Sequence, residues 1–326
     1  MILVVSHPDD AHARRVIVHL RGAGHEVHLL DLSDLPDRAS LSLDFADPLR
    51  PGLELRPDDG PPLDLGRVSA TWWRRPQAPN PTDVADLHVR LFASSEWNEA
   101  VQGLWLLLGG RWMNEPGRDE RASRKASQLR IASEVGLRVP RTLMTSDPDR
   151  AREFIASVGL GRTIFKTFAA TPTVWRETRI VRETELATLD AVRVAPVIFQ
   201  EYVEADADLR VTVVGERVFA MAIHAGQTDY PVDFRMSLGQ ARTEVAELPA
   251  AVTAAIHRLM DRLGLAYGAI DLRRTSDGEH VFLEINTAGE FLFVEERTGL
   301  PIAAAVADWL SATDVAASDR IGARTA

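Results

Sequence analysis

Residues Tyr267–Phe293 read YGAIDLRRTSDGEHVFLEINTAGEFLF. Asp271 ends an apolar run, Ser276-Asp277-Gly278 supplies a turn, and a second apolar stretch carries Glu284 and Asn286. Two runs joined in this way form a β-hairpin. Side chains two apart on a strand share a face, so Glu284 and Asn286 project together and Asp271 can lie opposite them. Two carboxylates and an amide oxygen are hard donors, a set that magnesium takes when substrate phosphates complete its shell. On its own the same pattern also describes an exposed polar hairpin edge. The rest of the chain has to separate the two readings.

Upstream of the hairpin, Pro249–Leu263 has the spacing of an amphipathic helix, and Arg210–Val214 with Arg217–Ile223 reads as a second hairpin around Gly215-Glu216. Pro196–Val203 is apolar and turns abruptly acidic at Glu204–Asp208. Before it come a helix over Asp119–Val135, a strand at Arg141–Thr145, a helix at Pro148–Val158, a strand at Thr163–Thr167 and a Thr-rich loop from Ala169 to Glu177. The N-terminus opens with a strand (Met1–Val5), a helix (Asp9–Leu20) and a strand (Glu26–Leu30), a β-α-β order that implies a parallel sheet. Residues 36–64 are rich in Pro, Asp and Leu and are expected as a partly extended connector. Val68–Arg74 is expected as a strand, Ser95–Leu108 and Leu300–Leu310 as helices, and the tail from Ser311 as disordered. The expected division is 1–114, an N-terminal α/β domain; 115–196 and 197–312, central and C-terminal parts; and 313–326, a flexible tail.

A chain of 326 residues with 45% hydrophobic and 26% charged content has room for two or three domains of ordinary globular composition. No apolar run approaches the roughly 20 residues of a membrane span, and MILVVSHPDD has the character of a first strand, not of a signal peptide. The absence of cysteine excludes disulfides, thiol catalysis and thiolate metal sites, and fits a cytoplasmic protein. A net charge of −10 argues against nucleic acid as the main partner.

Lysine is confined to Lys125 and Lys166 in a chain whose other cations are arginines. A compact ammonium meeting phosphate as a point charge is a reason to keep lysine at just these places. The apolar-to-acidic stretch Gln200-Glu201-Tyr202-Val203 to Asp208 can offer backbone groups to an adenine and carboxylates to a ribose. Arg210 and the Arg235 of Asp233-Phe234-Arg235 are cations suited to a phosphoryl group. Ser6-His7-Pro8-Asp9-Asp10 resembles the zinc signature of N-acetylglucosaminyl-type deacetylases, but the lone His-x-x-His, His25 and His28, would send its rings to opposite faces of a strand. A strand-end turn with Asp9 capping the next helix explains that motif more simply.

Together, Lys125, Lys166, Gln200-Glu201-Tyr202-Val203, Asp208-x-Arg210, Asp233-Phe234-Arg235, Asp271 and Glu284-x-Asn286 resemble the ordered motifs of ATP-grasp ligases over about residues 112–310. The nearest likeness is to the branch holding ribosomal-protein glutamate ligases and graspetide (microviridin-type) peptide synthetases. Trp73-Arg74-Arg75-Pro76, Trp112-Met113-Asn114-Glu115-Pro116, Lys125-x-x-Gln128-Leu129, Gly136-Leu137-x-Val139-Pro140 and Gly289-Glu290-Phe291 are similar to the peptide-maturing subgroup. The resemblance implies an α/β ATP-grasp fold behind an N-terminal parallel-sheet domain. It implies Lys125 and Lys166 on ATP phosphates; Glu201, Tyr202 and Val203 on adenine; Asp208 on ribose; and Asp271, Glu284 and Asn286 on magnesium, two ions in all. Arg210 and Arg235 would stabilise the phosphoryl group and an acyl phosphate, with Glu290 on the substrate side and Arg74 and Arg75 either on the peptide side of the cleft or in domain packing. The implied partner is a ribosomal precursor peptide with leader and core segments, modified by a homodimer or higher homo-oligomer. The chain departs from the pattern at Thr287, where Pro is commoner, at Glu290, where Gln is commoner, and in lacking glycine between Phe168 and Glu177.

Overall fold

Ile2–Val5, four apolar residues in a row, form β1, buried on both faces as a central parallel strand requires. The computed structural model describes residues 1–81, 84–168, 177–225, 232–236 and 238–312. After β1 come α1 (Ala11–Gly22) and β2 (Val27–Leu30), parallel to β1 as the β-α-β order predicts. β3 (Ala39–Asp44), β4 (Gly52–Pro57) and β5 (Leu63–Asp64) then form an antiparallel sheet of their own. This corrects the expected connector over 36–64. Leu41, Leu43, Leu53, Leu55 and Leu63 alternate with polar residues and give the segment one apolar face, which packs beneath Leu3, Val5 and Leu104. The Pro and Asp content of the turns obscured that period.

β6 (Ala70–Trp73) pairs with the other edge of β1, and α2 (Leu87–Leu107) leads into β7 (Arg111–Met113), giving the order β2-β1-β6-β7. The helix expected over Asp119–Val135 is two helices, α3 (Pro116–Ala122) and α4 (Lys125–Glu134), with Arg124 in extended backbone between them. The Gln128 side chain holds the break, donating from Nε2 to the carbonyl of Ala122 at 2.7 Å. The break places Lys125 at the first residue of α4.

A second antiparallel sheet, in the order β10-β9-β11-β8, contains β8 (Thr142–Thr145), β9 (Thr163–Lys166), β10 (Arg179–Ile180) and β11 (Val197–Glu201). α5 (Pro148–Val158) and α6 (Glu183–Ala187) are interleaved with them. The third sheet runs β14-β13-β12-β15-β16, all antiparallel: β12 (Ala207–Val214), β13 (Arg217–His224), β14 (Arg242–Val245), β15 (Tyr267–Arg274) and β16 (His280–Asn286). Both hairpins read from the sequence are present. One face of this sheet, with Leu209, Val211, Val213, Ile270, Leu272 and Ile285, is buried against α4 and α7 (Ala250–Leu263). Each such side chain contributes about 1.5–3 kcal/mol on burial, which fixes the register and leaves the alternate residues to the opposite face. α8 (Leu292–Thr298) and α9 (Ile302–Ser311) close the described chain and pack with α1 in a core that joins the first and third sheets. No helix among the described residues is long and apolar enough to cross a membrane. The Thr-rich loop expected from Ala169 and the tail expected as disordered fall largely or wholly outside the described residues.

Candidate active site

The face opposite α7 carries rows of polar side chains set by strand register. Arg210 on β12 pairs with Asp271 on β15, and Asp271 pairs with Glu284 on β16. A cation and two carboxylates therefore stand in one line across three strands. The row on one side holds Thr212, Ala269 and Asn286, and the row on the other pairs Asp208 with Arg273. A register shift between Asp271 and Leu272 absorbs one extra residue on β16 at the edge of this patch.

Each carboxylate has its own cation. Arg210 Nη1 donates to Asp271 Oδ1 at 2.8 Å, and its Nη2 donates to the carbonyl of Glu290 at 3.1 Å. The ammonium of Lys125, brought in by the start of α4, meets Glu284 Oε2. Lys166, at the end of β9, donates to Gln200 Oε1 at 3.1 Å, and Gln200 is fixed in turn by its Nε2 bond to Thr142 Oγ1 at 2.8 Å. Burial alone would raise the Glu284 carboxyl, but Lys125 and Lys166 outweigh it and hold the group at about 2. Asp271 lies deeper, and burial pushes its carboxyl up against the pull of Arg210. Burial also lowers the Lys166 ammonium, with Glu284 acting the other way. Arg235 binds Asp233 through Nε at 2.7 Å and adds its field to both carboxylates of the row.

Beside this patch, Tyr202, Glu204, Asp206, Asp208 and Arg273 line a cavity of ≈ 210 Å³. Arg273 is its organising residue. It donates to Asp208 Oδ1 at 2.9 Å and to the carbonyls of Val203 at 2.7 Å and Val232 at 3.1 Å, and its guanidinium lies 5.0 Å from the centre of the Tyr202 ring. Burial pushes the Asp208 carboxyl up in spite of that partner. Glu201 ends β11, and its amide donates to the carbonyl of Arg141 at 2.9 Å.

Two rows of charged side chains thus stand beside a cavity lined by the Tyr202 ring. Residues 122–310 match the RimK-like ATP-grasp domain. The chain belongs to that family. Among curated relatives, a probable alpha-L-glutamate ligase from Enterobacter sp. (strain 638) is 31% identical over 215 residues, covering 63% of this chain and 68% of its own. Among solved structures, the macrocyclase MdnC of Microcystis aeruginosa MRC, bound with precursor peptide MdnA, is 27% identical. It superposes with a TM-score of 0.85 over 96% of this chain and 99% of its own. The ATP-grasp ligase PsnB, complexed with minimal precursor, Mg and ADP, is 28% identical, with a TM-score of 0.77 over 95% and 96% of the two chains.

Within this RimK-like ATP-grasp chain the donor set fits magnesium. Asp271, Glu284 and Asn286 offer only oxygen ligands and occupy adjacent register positions of one face. No group of three or more His, Asp or Glu side chains suited to a metal occurs among the described residues. At nucleotide sites magnesium usually takes only part of its shell from the protein and the rest from phosphate and water. The His-Pro-Asp-Asp motif supplies a helix cap. Asp10, and not Asp9 as the sequence reading held, caps α1 by accepting from the amides of His12 at 2.9 Å and Ala13 at 3.3 Å. Asp9 is almost fully exposed. His25 precedes β2, where a strand position was expected.

The N-terminal arginines meet the far end of the hairpin. Arg74 is fully enclosed, while Arg75 is half exposed and reaches Glu290 Oε1 at 3.2 Å. Arg273 is absent from the residues expected at the site, and Gln200, Gln128 and Asn114 are expected there only as members of motifs, without a role of their own. Arg273 follows Asp271 by two on the same strand face, a signal the alternation rule could have supplied. Gln200 is a polar residue inside an apolar strand. Gln128 accepts from the amide of Ile285 at 3.2 Å and donates to its carbonyl at 2.9 Å, clamping α4 to the edge of β16. Asn114 joins β7 to β15: its Nδ2 donates to the carbonyls of Tyr267 at 2.8 Å and Thr287 at 2.9 Å, and its Oδ1 accepts from the amides of Ala266 and Tyr267, both at 3.0 Å.

Proposed function

We propose that this protein uses ATP to activate a side-chain carboxylate of a ribosomally made precursor peptide and joins it to a hydroxyl or amine of the same peptide. The observation that carries the reading is the extent of the likeness to MdnC. It runs through the N-terminal sheets and not only through the domain at 122–310, with a TM-score of 0.85. The 31% identity to that ligase favours a second reading, addition of glutamate or another amino acid to a carboxylate.

In the proposed reaction a carboxylate oxygen of the peptide attacks the γ-phosphorus of ATP, and ADP leaves. The hydroxyl oxygen or amine nitrogen then attacks the acyl carbon, phosphate departs, and one proton is released. Lys125 and Lys166 orient the phosphates, Tyr202, Val203 and Glu201 border the adenine, and Asp208 holds the ribose. Arg210 and Arg235 offset charge on the transferring group and on the acyl phosphate. Asp271, Glu284 and Asn286 would hold magnesium, two ions in all, which would supply Lewis-acid neutralisation of the phosphate oxygens. Arg75 and Glu290 face the peptide. Both steps require exclusion of water, which would hydrolyse the acyl phosphate. We assign the protein to the cytoplasm, where its precursor is made, and to a homodimer or higher assembly on the family resemblance.

Carboxylate labelling tests the chemistry. Peptide enriched with heavy oxygen at its Asp and Glu side chains should pass label to inorganic phosphate during turnover. Unlabelled phosphate would exclude the acyl-phosphate route.

A further inference from the structure

The sequence reading leaves Arg74 between two roles, and the structure places it far from solvent. Its side chain and that of its partner Asp10 are 0% and 3% exposed. Arg74 Nε donates to Asp10 Oδ2 at 3.2 Å, while Nη1 donates to two consecutive carbonyls, Ala288 at 2.6 Å and Gly289 at 2.9 Å. Asp10 is itself immobilised by Ser6 Oγ at 3.0 Å and by the first amides of α1. The guanidinium also lies over the Trp72 and Phe291 rings, at 5.8 and 6.0 Å.

The loop so gripped follows directly on Asn286. Tyr267 donates its hydroxyl to the carbonyl of Gly289 at 2.7 Å, and the carbonyl of Glu290 accepts from Arg210 Nη2 at 3.1 Å. Gly289 sits so close to the sheet that a Cβ there would lie 2.3 Å from Ala269 Cβ and 3.0 Å from Arg210 Nη2. A chain of direct contacts therefore runs from the first turn of α1 through Asp10, Arg74 and the 288–290 backbone to Arg210 and Asp271. An apolar side chain would pack two sheets together as well as a buried ion pair does. What an apolar side chain cannot do is set the direction of two successive carbonyls.

We propose that Asp10 and Arg74 are positioning residues for the phosphoryl-transfer site, fixing the Ala288–Glu290 loop that aims Arg210 at Asp271. The proposal rests on the function inferred above. Asp10→Asn combined with Arg74→Met removes both charges together, keeps a capping side chain on α1, and avoids leaving one buried charge alone. The double variant should keep its cooperative unfolding transition and its KM for ATP. Its kcat should fall roughly ten- to hundredfold, as removal of supporting partners typically does. The amide of Gly289, bonded to the carbonyl of Asn286 at 3.2 Å, should exchange with deuterium faster while α7 amides stay protected. Arg74→Lys, which keeps a charge but loses the fork, should keep folding stability and still lose kcat. Unchanged exchange at Gly289, or faster exchange with kcat intact, would overturn the proposal, as would an undiminished kcat in Arg74→Lys. Lack of peptide-dependent ADP release by the unaltered protein would sink the functional reading instead, and the exchange result would still decide whether Arg74 fixes the loop.

Discussion

Asp271 and Glu284 stand opposite one another on β15 and β16, yet each is bound to a different cation: Asp271 to Arg210 at 2.8 Å, Glu284 to Lys125. The two cations come from separate parts of the chain, one from the neighbouring strand and one from the start of α4. Cations therefore flank the row on two sides. Negative charge brought by phosphate would find Lys125, Lys166 and Arg210 already gathered, and a dication would find the Glu284 carboxyl held in its charged form.

Glu284→Gln tests the row with a near-isosteric change. The amide keeps the shape but loses the charge that faces Lys125 and Lys166. ADP release should fall at least about a hundredfold, the scale expected for an electrostatic contact to a transition state. The circular dichroism spectrum should stay unchanged. Full ADP release by this variant would remove Glu284 from the metal set.

Asp10→Asn predicts a pH signature in stability. Burial would raise the Asp10 carboxyl, but bonds to His12, Ser6 and the Ala13 amide and the charge of Arg74 hold it well below the ordinary range. A depressed carboxylate stabilises the fold above its unfolded value, near pH 4, and that contribution is lost as pH falls through the folded value. Urea unfolding should show the variant about 3 kcal/mol less stable at pH 7, because Arg74 is left buried and unpaired. The gap should narrow below about pH 4. A gap independent of pH would contradict the assignment.

Asn114→Ala should destabilise the protein by at least about 3 kcal/mol, since four backbone bonds between β7 and the hairpin are lost at a buried position. Asn114 also has a φ of 61°, so Asn114→Gly relieves about 1 kcal/mol of that loss and no more. Thermal or urea unfolding of the pair separates bonding from strain. Full stability in the glycine variant would assign Asn114 to backbone strain alone.

Gly289→Ala should cost about 1–3 kcal/mol by overpacking against Ala269 and lower the rate of ADP release by displacing Arg210. Wild-type stability and rate would show that the loop yields where the packing says it cannot.

Much of this site was legible because a strand has a period of two. Once Tyr267–Arg274 and His280–Asn286 are strands, Glu284 and Asn286 must share a face and Asp271 can lie opposite them, and the scarcity of lysine singles out Lys125 and Lys166. Three things resisted. The Leu alternation of 36–64 was masked by Pro- and Asp-rich turns, and the break between α3 and α4 is held by Gln128, which bonds Ala122 and is itself fixed by the distant Ile285. The pairing of Arg74 with Asp10 spans sixty-four positions, and its grip on Ala288 and Gly289 spans more than two hundred. No pattern of neighbours could announce either, and Asp10 had been passed over as cap in favour of its neighbour Asp9.

The intact mass of a precursor peptide after incubation with the protein, ATP and magnesium tests the central claim most directly. A core segment rich in Thr and in Asp or Glu should lose one water for each ring closed, with ADP formed in equal amount and no loss when Glu284→Gln replaces the unaltered protein. A peptide that gains the mass of glutamate residues would contradict macrocyclisation and establish the amino-acid-adding reaction in its place.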